Sequence, residues 1–173
     1  MLPAELTGPG KEIGFESPEA FLSANRTQYP NLDPDFIVQI CFEHPNRFNA
    51  LLPQFDPIRH AAMRVHRTAG WVCDNVRYDD NEDLDFWAEH FNSQRSSGRS
   101  SYEIFTHMVS HGDWPFPPVV IETAFGLSLG APDNIGTPYH LIEGTHRVSY
   151  LRRMIQLKMV SRDKQVSLIE LVE

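Results

Sequence analysis

Apolar and polar positions alternate differently in the two parts of the chain. In the first part, apolar residues recur at helical spacing behind start signals of one kind, a short polar residue followed by proline. Ser17-Pro18-Glu19, Asp33-Pro34-Asp35 and Asp56-Pro57 each place a capping side chain before proline at the first helical position. They predict a helix starting at Pro18, one over FIVQICFEH and one over IRHAAMRVHRTAG. In the last of these Ile58, Ala61, Ala62, Val65 and Ala69 fall on one face, Arg59, Arg64 and Arg67 on the other, and Gly70 supplies the stop. WVCDNVRY, residues 71–78, is short and apolar and reads as a strand or the end of a hairpin. The acidic cluster Asp79, Asp80, Glu82 and Asp83 then opens a helix through LDFWAEHF, since carboxylates favour the positive end of a helix. SQRSSGRSS, residues 93–101, reads as a polar loop and the best internal boundary.

After that boundary the pattern changes. Ser100 and Glu103 form a capping box for YEIFTHMVSHG, which Gly112 ends. FPPVVIETAF and PYHLIEG are β-branched or apolar runs, THRVSYLRRMIQLKMV is helical, and QVSLIELVE is a last strand. The expectation is an α+β chain, a single domain over residues 1–173 with a mostly helical region over 1–100 and a small mixed-sheet module over 101–173.

Composition narrows the function classes. The 173 residues carry 15 Lys and Arg against 23 Asp and Glu, a formal charge of -8. A chain clamping nucleic acid over its whole surface needs dense positive charge, so small molecules or proteins are the favoured partners and nucleic acid is not. Residues 115–173 hold six basic and six acidic side chains, so the whole excess of negative charge lies earlier. No run approaches the ~18 apolar residues of a membrane span, and the first residues lack the pattern of a secretory signal. Cys41 and Cys73 belong to no Cys-x-x-Cys pair and read as reduced, packed thiols. A cytoplasmic location is expected.

The strongest chemical signal is Leu141-Ile142-Glu143-Gly144-Thr145-His146-Arg147, a strand that turns into a helix through one glycine. Gly144 permits a tight turn and close approach of a ligand. The next amides lack helical partners and carry partial positive charge, which suits phosphate. Thr145 adds a hydroxyl, and His146 and Arg147 add charge-assisted donors. Glu143 is placed to act as a base or to hold a metal ion, and Glu122, at the end of the preceding strand, is a reserve carboxylate.

Weaker signals surround it. His107 and His111 stand one turn apart before Asp113, a metal-pair spacing, although a capping or surface role is the commoner reason for such a pair. The run Asp79–Asp85 is no calcium loop, because Leu84 and His90 stand where glycine and glutamate are needed. Arg95 and Arg99 with their neighbouring serines offer a phosphate wrap, less simply than a connecting loop. Of Arg152 and Arg153, one is expected to face solvent and the other to reach a phosphate or an acidic partner.

These residues together resemble the ParB/sulfiredoxin-like superfamily over roughly residues 101–173. The likeness rests on HMVSHGDWPFPPVVIE, a helix and glycine before a proline-initiated strand; on YHLIEGTHR, a second strand delivering Gly-x-His-Arg; and on VSYLRRMIQL leading to QVSLIELV. The first 100 residues carry no such likeness. The resemblance implies ATP, ADP or CTP bound, with Mg²⁺, through phosphates on Gly144, Thr145, His146 and Arg147. In sulfiredoxin a catalytic cysteine stands where this chain has Thr145, so sulfinic-acid reduction is not expected. Free-serine kinases of the fold carry an acid that matches Glu143. Partition proteins of the fold add a helix-turn-helix domain, which these 173 residues do not contain. The resulting expectation is Mg-dependent phosphoryl transfer or nucleotide hydrolysis, with Glu143, His146 and Arg147 as catalytic residues. The alternatives are a non-catalytic protein-interaction module, such as an antitoxin, immunity or phage-defence component using the acidic helical surface, and, behind it, a ParB-like nuclease.

Overall fold

Alternation with a period of two decides the architecture of the sheet. In the computed structural model, which describes residues 17–44, 55–78, 81–98, 100–123 and 136–172, five strands form one mixed sheet. They are β1 (Ala61–Thr68), β2 (Val76–Arg77), β3 (Val119–Glu122), β4 (Tyr139–Glu143) and β5 (Gln165–Val172), in the spatial order β1-β5-β3-β4-β2. β1 runs antiparallel to β5, β5 parallel to β3, β3 antiparallel to β4, and β4 parallel to β2. Val119, Ile121, Ile142, Ile169 and Leu171 point to one face, and Val120, Leu141, Val166 and Leu168 to the other. Both faces are therefore apolar and both are covered.

The first face is covered by the earliest residues. Helix α1 (Pro18–Asn25) is capped by Ser17, whose hydroxyl accepts from the Ala20 amide. Helix α2 (Pro34–Phe36) is capped by Asp33 and continues as a π-helix, Ile37–Glu43. Phe21, Phe36, Ile37, Ile40 and Cys41 are fully buried against the sheet. Burial pushes the Cys41 thiol pKa up, and both Cys41 and Cys73 are free thiols. The second face is covered by α3 (Ala69–Asn75), α4 (Asn81–Ser97), α5 (Glu103–His111) and α6 (Thr145–Gln156). Phe91, Met108, Tyr150 and Leu151 fill that layer. The protein is α+β, and among the described residues no helix is long and apolar enough to cross a membrane.

The expected β3, β4, α6 and β5 form where the apolar runs place them, and Gly112 closes α5 with a left-handed φ of 67°. Four local readings are corrected. Asp56-Pro57 starts a turn and not a helix: the Asp56 carboxylate accepts from the Ile58 amide and its carbonyl from Arg59 and His60. Ala61–Thr68 then becomes strand β1, which leaves Ile58 76% exposed where a helix would have buried it. β1 is held by its whole length along β5, by Arg64 on Asp33 and Asp35, and by Arg67 on Glu170. Residues 69–75 form α3, capped by Thr68, so Gly70 lies at a helix start. Its missing side chain is explained by Arg162, whose carbonyl would sit 3.2 Å from a Cβ there.

At the boundary loop, α4 continues through Ser97, so much of SQRSSGRSS is helical. The capping box does not form either. Ser100 Oγ donates to Gln94 Oε1 at 2.6 Å and accepts from the Tyr102 amide, and Tyr102 stands at the cap position of α5 without a side-chain bond there. Asp79, Asp80 and Arg99 lie outside the described residues.

Candidate functional site

β4 delivers the chain to Gly144, and α6 begins one residue later. Gly144 has φ 113° and ψ 27°, a conformation side chains rarely adopt. Pro118 presses against it so closely that a Cβ would meet the proline Cβ at 2.8 Å. The first helical bond runs from the Val148 amide to the Gly144 carbonyl at 2.9 Å, and no side chain caps the helix. The amides of Thr145, His146 and Arg147 thus occupy the positions that lack helical acceptors.

They border a cavity of about 370 Å³, lined also by His44, Tyr78, Trp87, Tyr102, Ile104 and Glu143. That volume lies at the small end of ligand pockets, about 300–1,000 Å³. Each wall comes from a different element: His44 from the end of the π-helix, Tyr78 from beyond β2, Trp87 from α4, and Tyr102 and Ile104 from the start of α5. Trp87 packs on the His146 ring with centroids 3.4 Å apart, and the Tyr102 hydroxyl hydrogen-bonds His146 Nδ1. Burial raises the Tyr102 pKa, with Arg147 opposing and Glu143 adding to the rise.

Arg147 does not reach into this space as a free cation. It is 5% exposed. Its Nη1 donates to Gln39 Oε1 at 2.5 Å and to the Phe116 carbonyl at 2.8 Å, and its Nη2 donates to Glu143 Oε1 at 3.2 Å. Burial pulls its pKa down while Glu143 holds it up. The guanidinium therefore ties the π-helix, the entry to β3 and the end of β4 to the first turn of α6. Glu143 faces it from the cavity rim, with His44 Nε2 4.0 Å away.

The remaining sequence candidates lie elsewhere. Val119 stands opposite Glu143 and Glu122 opposite Tyr139, so Glu122 is at the far end of β3, roughly 10 Å of strand from the turn. Arg152 donates to the Val76 carbonyl at 2.6 Å and braces β2. Arg153 bonds Asn92 and Gln156. His107 and His111 stack on each other, with His111 Nδ1 on the His107 carbonyl at 3.0 Å, and neither lines the cavity. Among the described residues no three His, Cys, Asp or Glu side chains gather as a metal group.

Arg95 lines a larger groove of about 830 Å³ between the end of α4 and α5. Three of the hydroxyls there serve the protein itself: Thr106 on the Tyr102 carbonyl, Ser110 on the Thr106 carbonyl and Ser100 on Gln94. The smaller cavity is the better candidate because it gathers titratable side chains, aromatic rings and open helix amides. Trp87 and Tyr102 carry no local mark in the sequence. Only their long-range partner, His146, gives them a place in the site. No family model, curated protein or solved structure matches the chain.

Proposed function

We propose that the protein binds a nucleotide, its phosphates on the amides of Thr145–Arg147 and its base against the aromatic wall, and that phosphoryl transfer or hydrolysis is the chemistry served. The observation that supports this most is the uncapped start of α6 opening into a cavity whose other walls include Trp87, Tyr102 and Tyr78. Helix amides and dipole favour anions, and flat aromatic rings favour the face of a base. The order β3, β4, α6, β5 is also the order that the ParB/sulfiredoxin-like resemblance implies.

In this reading the roles differ from those the motif suggests. Arg147 supplies fixed positive potential from inside the protein, held by Gln39, Phe116 and Glu143. His146, which lines the cavity beside these amides, contacts an oxygen of the ligand in this reading. Glu143 is the one carboxylate among the described lining residues, and so the residue to share a Mg²⁺ carried in on the phosphates, which keeps most of its ligands from phosphate and water.

Calorimetric titration of ATP, ADP and CTP, each with Mg²⁺, tests the reading. The expected result is saturable binding of at least one of them, weakened about tenfold in His146→Ala, as loss of one charge-assisted hydrogen bond requires. No binding by the native chain, or equal binding by a folded His146→Ala, overturns it.

A further inference from the structure

We infer that His107 and His111 form an exchangeable site for a divalent transition-metal ion on the outer face of α5, apart from the cavity at Gly144 and independent of the nucleotide reading. Two side chains four residues apart on a helix lie one above the other on the same face. On α5, Phe105 and Met108 are buried, while His107 is half-buried and His111 exposed. The two imidazole rings stack with centroids 4.2 Å apart and planes within 20° of each other. Metal–nitrogen bonds of about 2.0–2.1 Å put two nitrogen ligands of one ion roughly 3 Å apart. Rings already this close reach that separation by side-chain rotation, with the backbone of α5 unmoved.

The hydrogen bonding around the pair fits ligation. His111 Nδ1 meets the His107 carbonyl at 3.0 Å. A carbonyl oxygen only accepts, so Nδ1 carries a proton, and in the neutral ring Nε2 holds the lone pair that a metal takes. Metal-binding histidines almost always donate their other ring N–H to a carbonyl, carboxylate or water, which fixes the ring for the ion. The pair also closes α5 at its C-terminal end, where the helix dipole favours a cation. Lys164 opposes it: its Nζ donates to the His111 carbonyl at 2.5 Å, and that charge limits the affinity. Among the described residues no third His, Cys, Asp or Glu joins the pair, so water supplies the other ligands and the ion exchanges. Imidazole donors select copper, nickel or zinc ions and not Mg²⁺, which takes oxygen ligands. The bound ion clips the last turn of α5 to the one before it.

Calorimetric titration of the full chain with Ni²⁺, in buffer holding excess Mg²⁺, tests the site. The native chain is expected to bind Ni²⁺ at a site that Mg²⁺ does not occupy, and its thermal unfolding midpoint to rise with Ni²⁺ concentration. His107→Gln and His111→Gln each leave one imidazole. In both, affinity for that ion falls at least about tenfold, since even a lost outer partner of a ligand costs about 10–100-fold, and the midpoint no longer responds. Both side chains lie outside the buried core, so both variants fold, which circular dichroism checks. His66→Gln, which removes another exposed imidazole, on β1, keeps the native affinity. No Ni²⁺ bound by the native chain, native affinity in either His107→Gln or His111→Gln, or a loss in His66→Gln equal to theirs overturns the site.

Discussion

Arg147→Ala is expected to lower the stability of the folded protein by about 3–5 kcal/mol, the cost of removing one partner from a buried, hydrogen-bonded charge pair. The reason is the position of the guanidinium. At 5% exposure it is surrounded by protein, and its donors serve the Gln39 side chain, the Phe116 carbonyl and the Glu143 carboxylate. Gln39 is itself 4% exposed, so its amide oxygen would be left without a donor and without water. Arg147→Lys tests the geometry separately from the charge. A compact ammonium cannot span Gln39 and Phe116 on one side and Glu143 on the other. The lysine variant is expected to lose about 1.5–3 kcal/mol, roughly one charged hydrogen bond. Urea denaturation measures both. A loss below about 1 kcal/mol in the alanine variant would show that the guanidinium is no structural tie. The same result bears on ligand assays: lost nucleotide binding in Arg147→Ala reports lost structure unless the unfolding midpoint is measured alongside.

Arg147 also marks where the sequence stops being readable. The Gly144–Arg147 turn is legible because each feature is local: an apolar β4, a glycine, and then helical spacing from Val148 to Met154. Whether the arginine faces a ligand or the interior depends on Gln39, far away in sequence, and on the backbone at Phe116. No spacing rule connects these. β1 fails for a related reason. Ala61, Ala62 and Val65 fit a helical stripe and a half-buried strand equally well, and what decides is β5, which offers Val172 down to Gln165 as partners for Ala61–Thr68. A short polar residue before proline gives the same local signal at Ser17, Asp33 and Asp56. Ser17 and Asp33 do cap helices, whereas the Asp56 carboxylate closes a turn on Ile58. The difference lies in the residues downstream: Phe36, Ile37 and Ile40 bury against the sheet, while Ile58 stays exposed. The π-helical stretch that carries Gln39 toward Arg147 has no signature in residue type at all.

Gly144→Ala is expected to cost about 2–6 kcal/mol and to abolish ligand binding at the turn even where the variant still folds. Two effects add. A φ of 113° is strained for any residue with a Cβ, at about 1–3 kcal/mol. The new methyl would also lie 2.8 Å from Pro118 Cβ, 3.1 Å from Pro118 Cα and 3.2 Å from Arg147 Nε. Pro118 cannot swing aside as a long side chain would, because its carbonyl accepts from Ile169 in the next strand at 2.9 Å. Overlap of this kind in a packed interior typically adds about 1–3 kcal/mol. Gly98→Ala supplies the control. Gly98 also has a left-handed φ, 65°, but nothing stands within 4 Å of its would-be Cβ, so the backbone penalty of about 1–2 kcal/mol acts alone. The difference between the two variants therefore reports the contact with Pro118 and Arg147 together with the extra strain of the wider φ at Gly144. Relief of that contact requires β3 and α6 to move apart, and the amides of Thr145, His146 and Arg147 are aimed by this dihedral pair. Binding should then fall further than the residual folded fraction explains. Equal destabilisation by Gly144→Ala and Gly98→Ala, with ligand affinity unchanged in the first, would mean that the turn tolerates a side chain and that its close approach to Pro118 does not set the site.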